Sequence, residues 1–123
     1  MVKILLDSVI LIDHLNGIQA ATAYLARVHL NSAISAVTRA EVLTGYDEAH
    51  QAPIKQLLEA FPVLAIDAPV ADLAANLRRQ HRWKLPDAFQ AALAQTHKLT
   101  LATRNTKDFP TKKYDFVTVP YEV

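Results

Sequence analysis

Residues 2–13 decide the fold, and they read Val-Lys-Ile-Leu-Leu-Asp-Ser-Val-Ile-Leu-Ile-Asp. The apolar run at 2–6 predicts a short buried strand, and Asp7 stands at its end. Ser8 is a typical helix N-cap, since its hydroxyl can accept a backbone N–H, and a helix is expected after it. In open α/β sheets, ligands bind at the carboxyl ends of the strands. Asp7 is therefore a candidate site residue, although an acid in a solvated turn is an equally good interpretation of its position.

The length and composition are those of one globular domain spanning residues 1–123, since hydrophobic residues make up 51% and charged residues 20%. The absence of cysteine excludes a disulfide scaffold, a thiolate metal site and a thiol nucleophile, and it agrees with a cytoplasmic protein. The chain runs from Met1 straight into the first strand, so no signal peptide is expected. No apolar run reaches about 18 residues, so no membrane span is expected either.

Charge is divided unevenly along the chain. Residues 1–77 contain 4 Lys and Arg against 8 Asp and Glu, whereas residues 78–123 contain 9 against 4. A basic half of this kind can bind a polyanion such as nucleic acid, but a solvated helix face and loop would give the same pattern.

Predicted strands alternate with predicted helices along the whole chain. The strands are expected at residues 2–6, 33–35, 62–66, 99–102 and 116–119, each separated from the next by helical periodicity or a polar loop. Alternation of this kind predicts an α/β fold with a central, mostly parallel sheet of four to five strands flanked by helices. Right-handed crossovers place the tips of parallel strands on one side, so acids that follow those tips should converge.

Four acids lie beside these predicted strand or helix ends: Asp7, Glu41, Asp87 and Asp108. Clustered carboxylates repel one another unless a cation neutralises them. Mg²⁺ prefers oxygen ligands and is usually held by one or two carboxylates with several waters. With no cysteine available, an all-oxygen site favours Mg²⁺, with Mn²⁺ as an alternative, over Zn²⁺.

Each acid also has a purely structural interpretation. Glu41 stands three residues after Thr38, which is the spacing of a capping box. Asp87 lies in a first helical turn, where a carboxylate favours the helix dipole. Asp108 is a candidate turn residue. Asp13 is expected to face solvent and is not assigned to the site.

At these residues the sequence resembles the PIN-domain ribonucleases, and most closely the VapC-type toxins of bacterial type II toxin–antitoxin pairs. The resemblance covers nearly the whole chain. It rests on four motifs: Leu-Leu-Asp-Ser-Val-Ile-Leu-Ile-Asp with Asp7, Ile-Ser-Ala-Val-Thr-Arg-Ala-Glu-Val-Leu-Thr-Gly with Glu41, Leu-Pro-Asp-Ala-Phe-Gln-Ala-Ala-Leu-Ala with Asp87, and Leu-Ala-Thr-Arg-Asn-Thr-Lys-Asp-Phe with Thr103, Asn105 and Asp108. The family usually has Asp-Thr-Asn in the first motif, where this chain has Asp7-Ser8-Val9.

The resemblance implies a Mg²⁺-dependent endoribonuclease that hydrolyses RNA phosphodiester bonds. On this basis the catalytic acids are Asp7, Glu41, Asp87 and Asp108, with Asp7 and Asp87 as metal ligands. Ser8, Thr103 and Asn105 would orient water or phosphate.

The resemblance also implies partners. RNA would be held by basic residues of the C-terminal half, for which the candidates are Arg78, Arg79, Arg82, Arg104 and Lys107. A homodimer and a cognate VapB-like antitoxin that covers the acidic pocket are expected as well.

Two alternatives remain open. A non-catalytic RNA-binding or protein-interaction module on the same fold would bind RNA in a salt-sensitive way without Mg²⁺-dependent turnover. A phosphatase with an aspartyl nucleophile is less favoured, because the usual Asp-x-Asp is interrupted by Val9.

Overall fold

A single five-stranded sheet forms the centre of the computed structural model, which describes residues 1–123. The order of the strands is β3-β2-β1-β4-β5, and every neighbouring pair is parallel. The strands are β1 (Ile4–Leu6), β2 (Ser32–Ser35), β3 (Val63–Leu64), β4 (Thr100–Ala102) and β5 (Val117–Thr118). The predicted α/β class and the mostly parallel sheet are confirmed, and β1 is its central strand.

Six α-helices connect and cover the strands. They are α1 (Ser8–Leu15), α2 (Gln19–Val28), α3 (Ala36–Thr44), α4 (Ala52–Leu58), α5 (Ala68–His81) and α6 (Leu85–His97). Short 3₁₀ turns lie at His29–Asn31 and Glu48–His50. No helix combines the length and the apolar character needed to cross a membrane.

The core lies on both faces of the sheet because successive side chains of a strand point in opposite directions. Leu5 and Leu101 are fully buried in a cluster with α5 and α6, whereas the next residues, Leu6 and Ala102, are fully buried in a cluster with α1 to α4. Buried apolar area on both faces fixes the register of β1 against β4. That register in turn sets where the residues after each strand project.

The cap of α1 differs from the prediction. Asp7, and not Ser8, is the N-cap residue: its backbone is extended, and its Oδ1 accepts the backbone N–H of Ser8 at 2.9 Å. The prediction of Ser8 as N-cap was wrong because the helical backbone already begins at Ser8, which leaves the cap position to Asp7. Ser8 is consequently the first helical residue.

The starts of α3 and α6 place Glu41 and Asp87 on their helices. Ser35 caps α3 by accepting the N–H of Thr38 at 2.9 Å, so Glu41 lies beyond the first turn and the Thr38–Glu41 capping box does not form. Helix α6 begins at Leu85, with Pro86 in its first turn, so that Asp87 is the third helical residue. Asp67 caps α5 by accepting the N–H of Val70 at 3.0 Å.

The edge strands are shorter than their apolar runs. Of the predicted strand at residues 62–66 only Val63–Leu64 pairs, and of 116–119 only Val117–Thr118 pairs. Both strands have one neighbour each, so fewer backbone groups find a ladder partner.

Candidate active site

Asp7 lies at the carboxyl end of the central strand and is held on both carboxylate oxygens. Oδ2 accepts the hydroxyl of Thr103 at 2.5 Å, and Oδ1 accepts the side-chain amide of Gln90 at 3.2 Å in addition to the Ser8 N–H. The residue is only 7% exposed. Burial with three hydrogen bonds fixes the direction of this carboxylate and excludes the interpretation of Asp7 as an acid in a solvated turn.

The electrostatic effect of the clustered acids is clearest in the pKa of Asp87, which lies in the first turn of α6. Burial together with the negative charges of Asp7, Asp108 and Glu41 raises the pKa of Asp87 to about 6, although Lys84 opposes the shift. Three carboxylates can act on one group in this way only if all lie near it. The structure therefore brings together the four acids that the sequence analysis selected.

Glu41 projects from the second turn of α3 toward the same place. Partial burial raises the pKa of Glu41, the nearby Ser8 hydroxyl lowers it, and the charge of Asp7 raises it again. Ser8, the first residue of α1, therefore lies near the acidic cluster.

The loop after β4 supplies the remaining candidates. Thr103 is fully buried, and its Oγ1 accepts the backbone N–H of Asn105 at 3.0 Å while its hydroxyl donates to Asp7. Asn105 Nδ2 donates to Asp108 Oδ2 at 3.1 Å, and Asn105 Oδ1 accepts the N–H of Asp108 at 3.3 Å. Trp83 Nε1 also donates to the Asp108 carbonyl at 2.9 Å. Asn105 and Asp108 are therefore held together by two mutual hydrogen bonds.

Two residues of the site were missed by the sequence analysis. Gln90 on α6 is 1% exposed and donates through Nε2 to both Asp7 and the Thr38 hydroxyl oxygen, the latter at 2.7 Å. Thr38 on α3 is fully buried. Gln90 stands three residues after Asp87 and is the one polar side chain among the buried positions of α6, a signal that the helical spacing contained.

Asp13 was wrongly expected to face solvent. It is 7% exposed, and its carboxylate accepts Arg104 Nε at 2.6 Å, Arg104 Nη2 at 2.9 Å and the Tyr121 hydroxyl at 2.8 Å. The Arg104 guanidinium holds the pKa of Asp13 below its usual range, against the effect of burial, and Tyr121 adds to the lowering. Asp13 lies three residues after the buried Ile10, so helical periodicity already placed it on the inner face of α1.

The basic candidates occupy two regions. Arg78, Arg79 and Arg82 lie around the end of α5, where they line an open cavity of about 290 Å³ with Trp83. Lys107 is exposed on the loop after β4. Arg104 differs from them, because it forms the ion pair with Asp13, which occupies its Nε and Nη2.

The donor set of the pocket suits a hard divalent cation, since all four clustered acids offer carboxylate oxygens and no nitrogen or sulfur ligand lies among them. No three Asp, Glu or His side chains lie close enough together to form a complete ion cage. Mg²⁺ needs only one or two carboxylates and keeps its waters, so a pocket without such a cage is compatible with this ion. Repulsion from the charges of Asp7, Asp108 and Glu41 adds to the effect of burial in raising the pKa of Asp87, and a bound cation would reduce this repulsion.

The fold and the pocket define an α/β protein with an acidic site at the carboxyl edge of one parallel sheet. A model of the PIN-domain family matches residues 4–114. The chain is also 35% identical over 114 residues to ribonuclease VapC10 of Mycobacterium tuberculosis, a match that covers 87% of this chain and 86% of that protein. This chain therefore belongs to the PIN-domain family, as its four motifs indicated.

Solved structures agree with this assignment. A toxin–antitoxin complex from Klebsiella pneumoniae contains a chain that is 38% identical and superposes with a TM-score of 0.88, covering 98% of this chain and 100% of that one. A chain of FitAcB from Neisseria gonorrhoeae is 27% identical with a TM-score of 0.80, covering 98% and 99%. The resemblance extends over the whole fold and is not limited to the acidic pocket.

Proposed function

We propose that this chain is a Mg²⁺-dependent endoribonuclease that acts as the toxin of a toxin–antitoxin pair. The observation that carries the proposal is the meeting of Asp7, Glu41, Asp87 and Asp108 at one sheet edge, where burial and the charges of the other three acids raise the pKa of Asp87. Similarity to a ribonuclease named VapC10 supports RNA as the substrate, and similarity to a chain of a toxin–antitoxin complex supports the toxin role.

In this mechanism Asp7 and Asp87 would hold the cation, and Glu41 and Asp108 would complete the negative pocket. When bound, Mg²⁺ neutralises the carboxylates, acidifies a water molecule and stabilises charge on the phosphoryl group. Thr103 keeps Asp7 in its orientation through the 2.5 Å hydrogen bond, and Asn105 keeps Asp108 in place.

Hydrolysis joins the water oxygen to phosphorus and breaks the bond from phosphorus to the leaving ribose oxygen. Ser8 and Asn105 would provide hydroxyl and amide groups to orient that water or the phosphate, whereas Thr103 is fully buried with its hydroxyl proton on Asp7 and acts by holding that carboxylate. The basic side chains Arg78, Arg79, Arg82 and Lys107 would hold the flanking phosphates, whereas Arg104 is largely committed to Asp13. Cation binding has to precede RNA binding, because the uncompensated acidic pocket repels phosphate.

Asp7→Asn tests the proposal. The variant keeps the shape of the side chain but loses the charge, so RNA cleavage should fall by at least about a hundredfold while the circular dichroism spectrum stays the same. Asp115→Asn, at an exposed acid just before β5 and therefore at the opposite edge of the sheet, is the matched control and should cleave at the normal rate. Normal cleavage by Asp7→Asn would discard the assignment, and salt-sensitive RNA binding without any turnover in the unaltered protein would indicate the non-catalytic module instead.

The proposed partner is an antitoxin segment that lies next to the acids. A cavity of about 350 Å³ between α1 and α3 supports this, because it joins the acidic Glu41 to apolar surface; its lining is Ile12, Leu15, Asn16, Glu41, Val42, Gly45 and Tyr46. A segment with an apolar side chain and a nearby Arg or Lys fits such a surface. A small protein encoded in a reading frame adjacent to this gene would be the candidate partner; co-expression with it should give a complex that does not cleave RNA, and Ile12→Asp should weaken that complex.

A homodimer is the proposed assembly of the toxin itself. Sedimentation of the purified chain over a tenfold concentration range measures this directly. A mass near 13.6 kDa at all concentrations would exclude the dimer.

A further inference from the structure

The side chain of Gln90 connects three separate elements of the acidic pocket. Its Nε2 amino group donates to Asp7 after β1 and to Thr38 on α3, while Gln90 itself belongs to α6, which carries Asp87. An amide nitrogen has two protons, so these two bonds use its full donor capacity. The three elements that carry Asp7, Glu41 and Asp87 are thus joined through one buried side chain.

The orientation of the amide follows from the chemistry of its neighbours. A carboxylate can only accept hydrogen bonds, so the nitrogen and not the oxygen of Gln90 must face Asp7 at 3.2 Å. Thr38 Oγ1 accepts from Gln90 and is placed by two further contacts, with Ser35 Oγ at 3.3 Å and with the Leu6 carbonyl at 3.5 Å. Thr38 therefore limits the rotation of the Gln90 amide.

The other end of the amide argues against a role in packing alone. Gln90 Oε1 is buried and has no hydrogen-bond partner, so its desolvation destabilises the folded protein without a compensating bond. The other buried positions of α6 carry only Ala and Leu, and an apolar side chain at position 90 would avoid that penalty. The presence of glutamine at this position, despite the energetic penalty of the unpaired oxygen, indicates that the hydrogen bonds donated by its amino group serve a function.

We propose that Gln90 is a positioning residue: by donating to Oδ1 it fixes the orientation of the Asp7 carboxylate, which leaves Oδ2 directed for binding the cation, and Thr38 in turn holds Gln90. This inference rests on the proposed cation site at Asp7. Side chains that orient a metal ligand typically change metal affinity or activity by about 10–100-fold when they are removed. The role requires the amide N–H groups, not the volume of the side chain.

The test is titration of Mn²⁺ into the RNA-free protein, followed by calorimetry, with Gln90→Met as the first variant. Methionine has a similar length and no N–H group, so the Mn²⁺ dissociation constant should rise by about tenfold. In cleavage assays the Mg²⁺ concentration for half-maximal rate should rise equally, while KM for RNA stays unchanged. Leu93→Met, at a fully buried position on the same helix, is the control for repacking and should leave the Mn²⁺ dissociation constant unaltered.

A second pair of variants separates positioning from folding. Thr38→Ser keeps the hydroxyl and should bind Mn²⁺ normally, whereas Thr38→Val removes it and should weaken binding. In the Gln90→Met background Thr38→Val should have no further effect, because Thr38 acts through the amide.

The outcomes are distinct. If the unaltered protein binds Mn²⁺ and Gln90→Met binds it equally well, Gln90 has no positioning role, whatever its effect on the melting temperature. Independent, additive effects of the two substitutions would overturn the linkage through Thr38. If the unaltered protein binds no Mn²⁺, the cation site itself is wrong and the role of Gln90 falls with it.

Discussion

At the scale of single residues, two carboxylates show how a partner decides the behaviour of an acid. Asp13 lies against the guanidinium of Arg104, and its pKa is lowered. Asp87 lies among other acids with only Lys84 as an opposing charge, and its pKa is raised to about 6. Asp13 consequently stabilises the folded protein at neutral pH, whereas the charge on Asp87 opposes folding until a cation neutralises it.

The first prediction concerns the stability of the metal-free protein between pH 4 and 7. The folded-state pKa of Asp87 exceeds the ordinary value of 3.8, so its contribution to stability is fully present below about pH 3.8 and is lost as the pH rises through 6. Asp87→Asn should remove this loss and raise the free energy of unfolding at pH 7 by about 1–2 kcal/mol, after allowance for solvent screening. Urea titrations in EDTA at pH 4 and at pH 7 measure the free energy of unfolding of both proteins. An equal pH dependence in Asp87→Asn and unaltered protein would contradict the prediction.

The second prediction concerns Asp13. Asp13→Asn leaves the half-buried Arg104 without its counter-charge and should lower the free energy of unfolding at pH 7 by about 1–3 kcal/mol. Because the pKa of Asp13 is lowered in the folded state, the stabilisation is present above about pH 3.8 and disappears as the pH falls below it. Unaltered protein and variant should therefore approach each other in stability at strongly acidic pH. Asp115→Asn, at an exposed acid before β5, is the control.

At the scale of elements, the helix ends determine how the site is presented. Asp7 caps α1 and Ser35 caps α3, so both helices start directly at the carboxyl ends of their strands and carry Ser8 and Glu41 toward the pocket. The ends of α5 and α6 are less favourable, because Arg82 and Lys98 adopt the left-handed conformation with φ of 59° and 56°. The backbone of a residue other than glycine is strained in this conformation, because its Cβ atom lies too close to a carbonyl oxygen.

The third prediction uses that strain. Lys98→Gly should raise the free energy of unfolding by about 0.5–1 kcal/mol, because glycine adopts positive φ without the steric penalty of a Cβ atom. Lys55→Gly, at an exposed position inside α4, should instead lower it by about the same amount. A loss of stability in Lys98→Gly similar to that in Lys55→Gly would show that the left-handed C-cap is not a source of strain.

At the scale of the whole molecule, the two halves of the chain contribute different charges to the proposed RNA interface. The N-terminal 77 residues supply Asp7 and Glu41, and the later residues supply most of the basic side chains. Folding leaves basic side chains accessible at the end of α5 and on the loop after β4. Such an arrangement suits a substrate whose flanking phosphates bind to cations while one phosphate reaches the acids.

The fourth prediction tests this interface in the inactive Asp7→Asn background. Arg79→Ala and Lys107→Ala should each weaken binding of single-stranded RNA of any sequence, and each should reduce the salt dependence of log K by about 0.7 for every phosphate that is no longer bound. Lys55→Ala, on the other half of the chain, should change neither quantity. Filter binding at several KCl concentrations provides the slopes, and an unchanged slope in both variants would remove these residues from the interface.

Local sequence patterns were sufficient for the fold class and for the choice of the four acids. Strands and helices follow from periodicity over a few residues, and an acid directly after an apolar strand, such as Asp7, is visible in the sequence as a strand-end acid. The edge strands were predicted too long because their pairing depends on neighbours and not on composition. The N-cap of α1 was predicted one residue too late, at Ser8. The cap depends on the backbone conformation at Asp7, which is extended and lets the Asp7 side chain accept the N–H of Ser8.

What sequence alone determined about this protein is thus the α/β order, the parallel sheet and the acids that end up at one edge. Only the tertiary structure decided that Gln90 bonds to Asp7 across 83 positions and that Asp13 bonds to Arg104 across 91. The physical reason is that a hydrogen bond needs two groups within about 3 Å, and between distant segments that distance is set by how helices pack on the sheet.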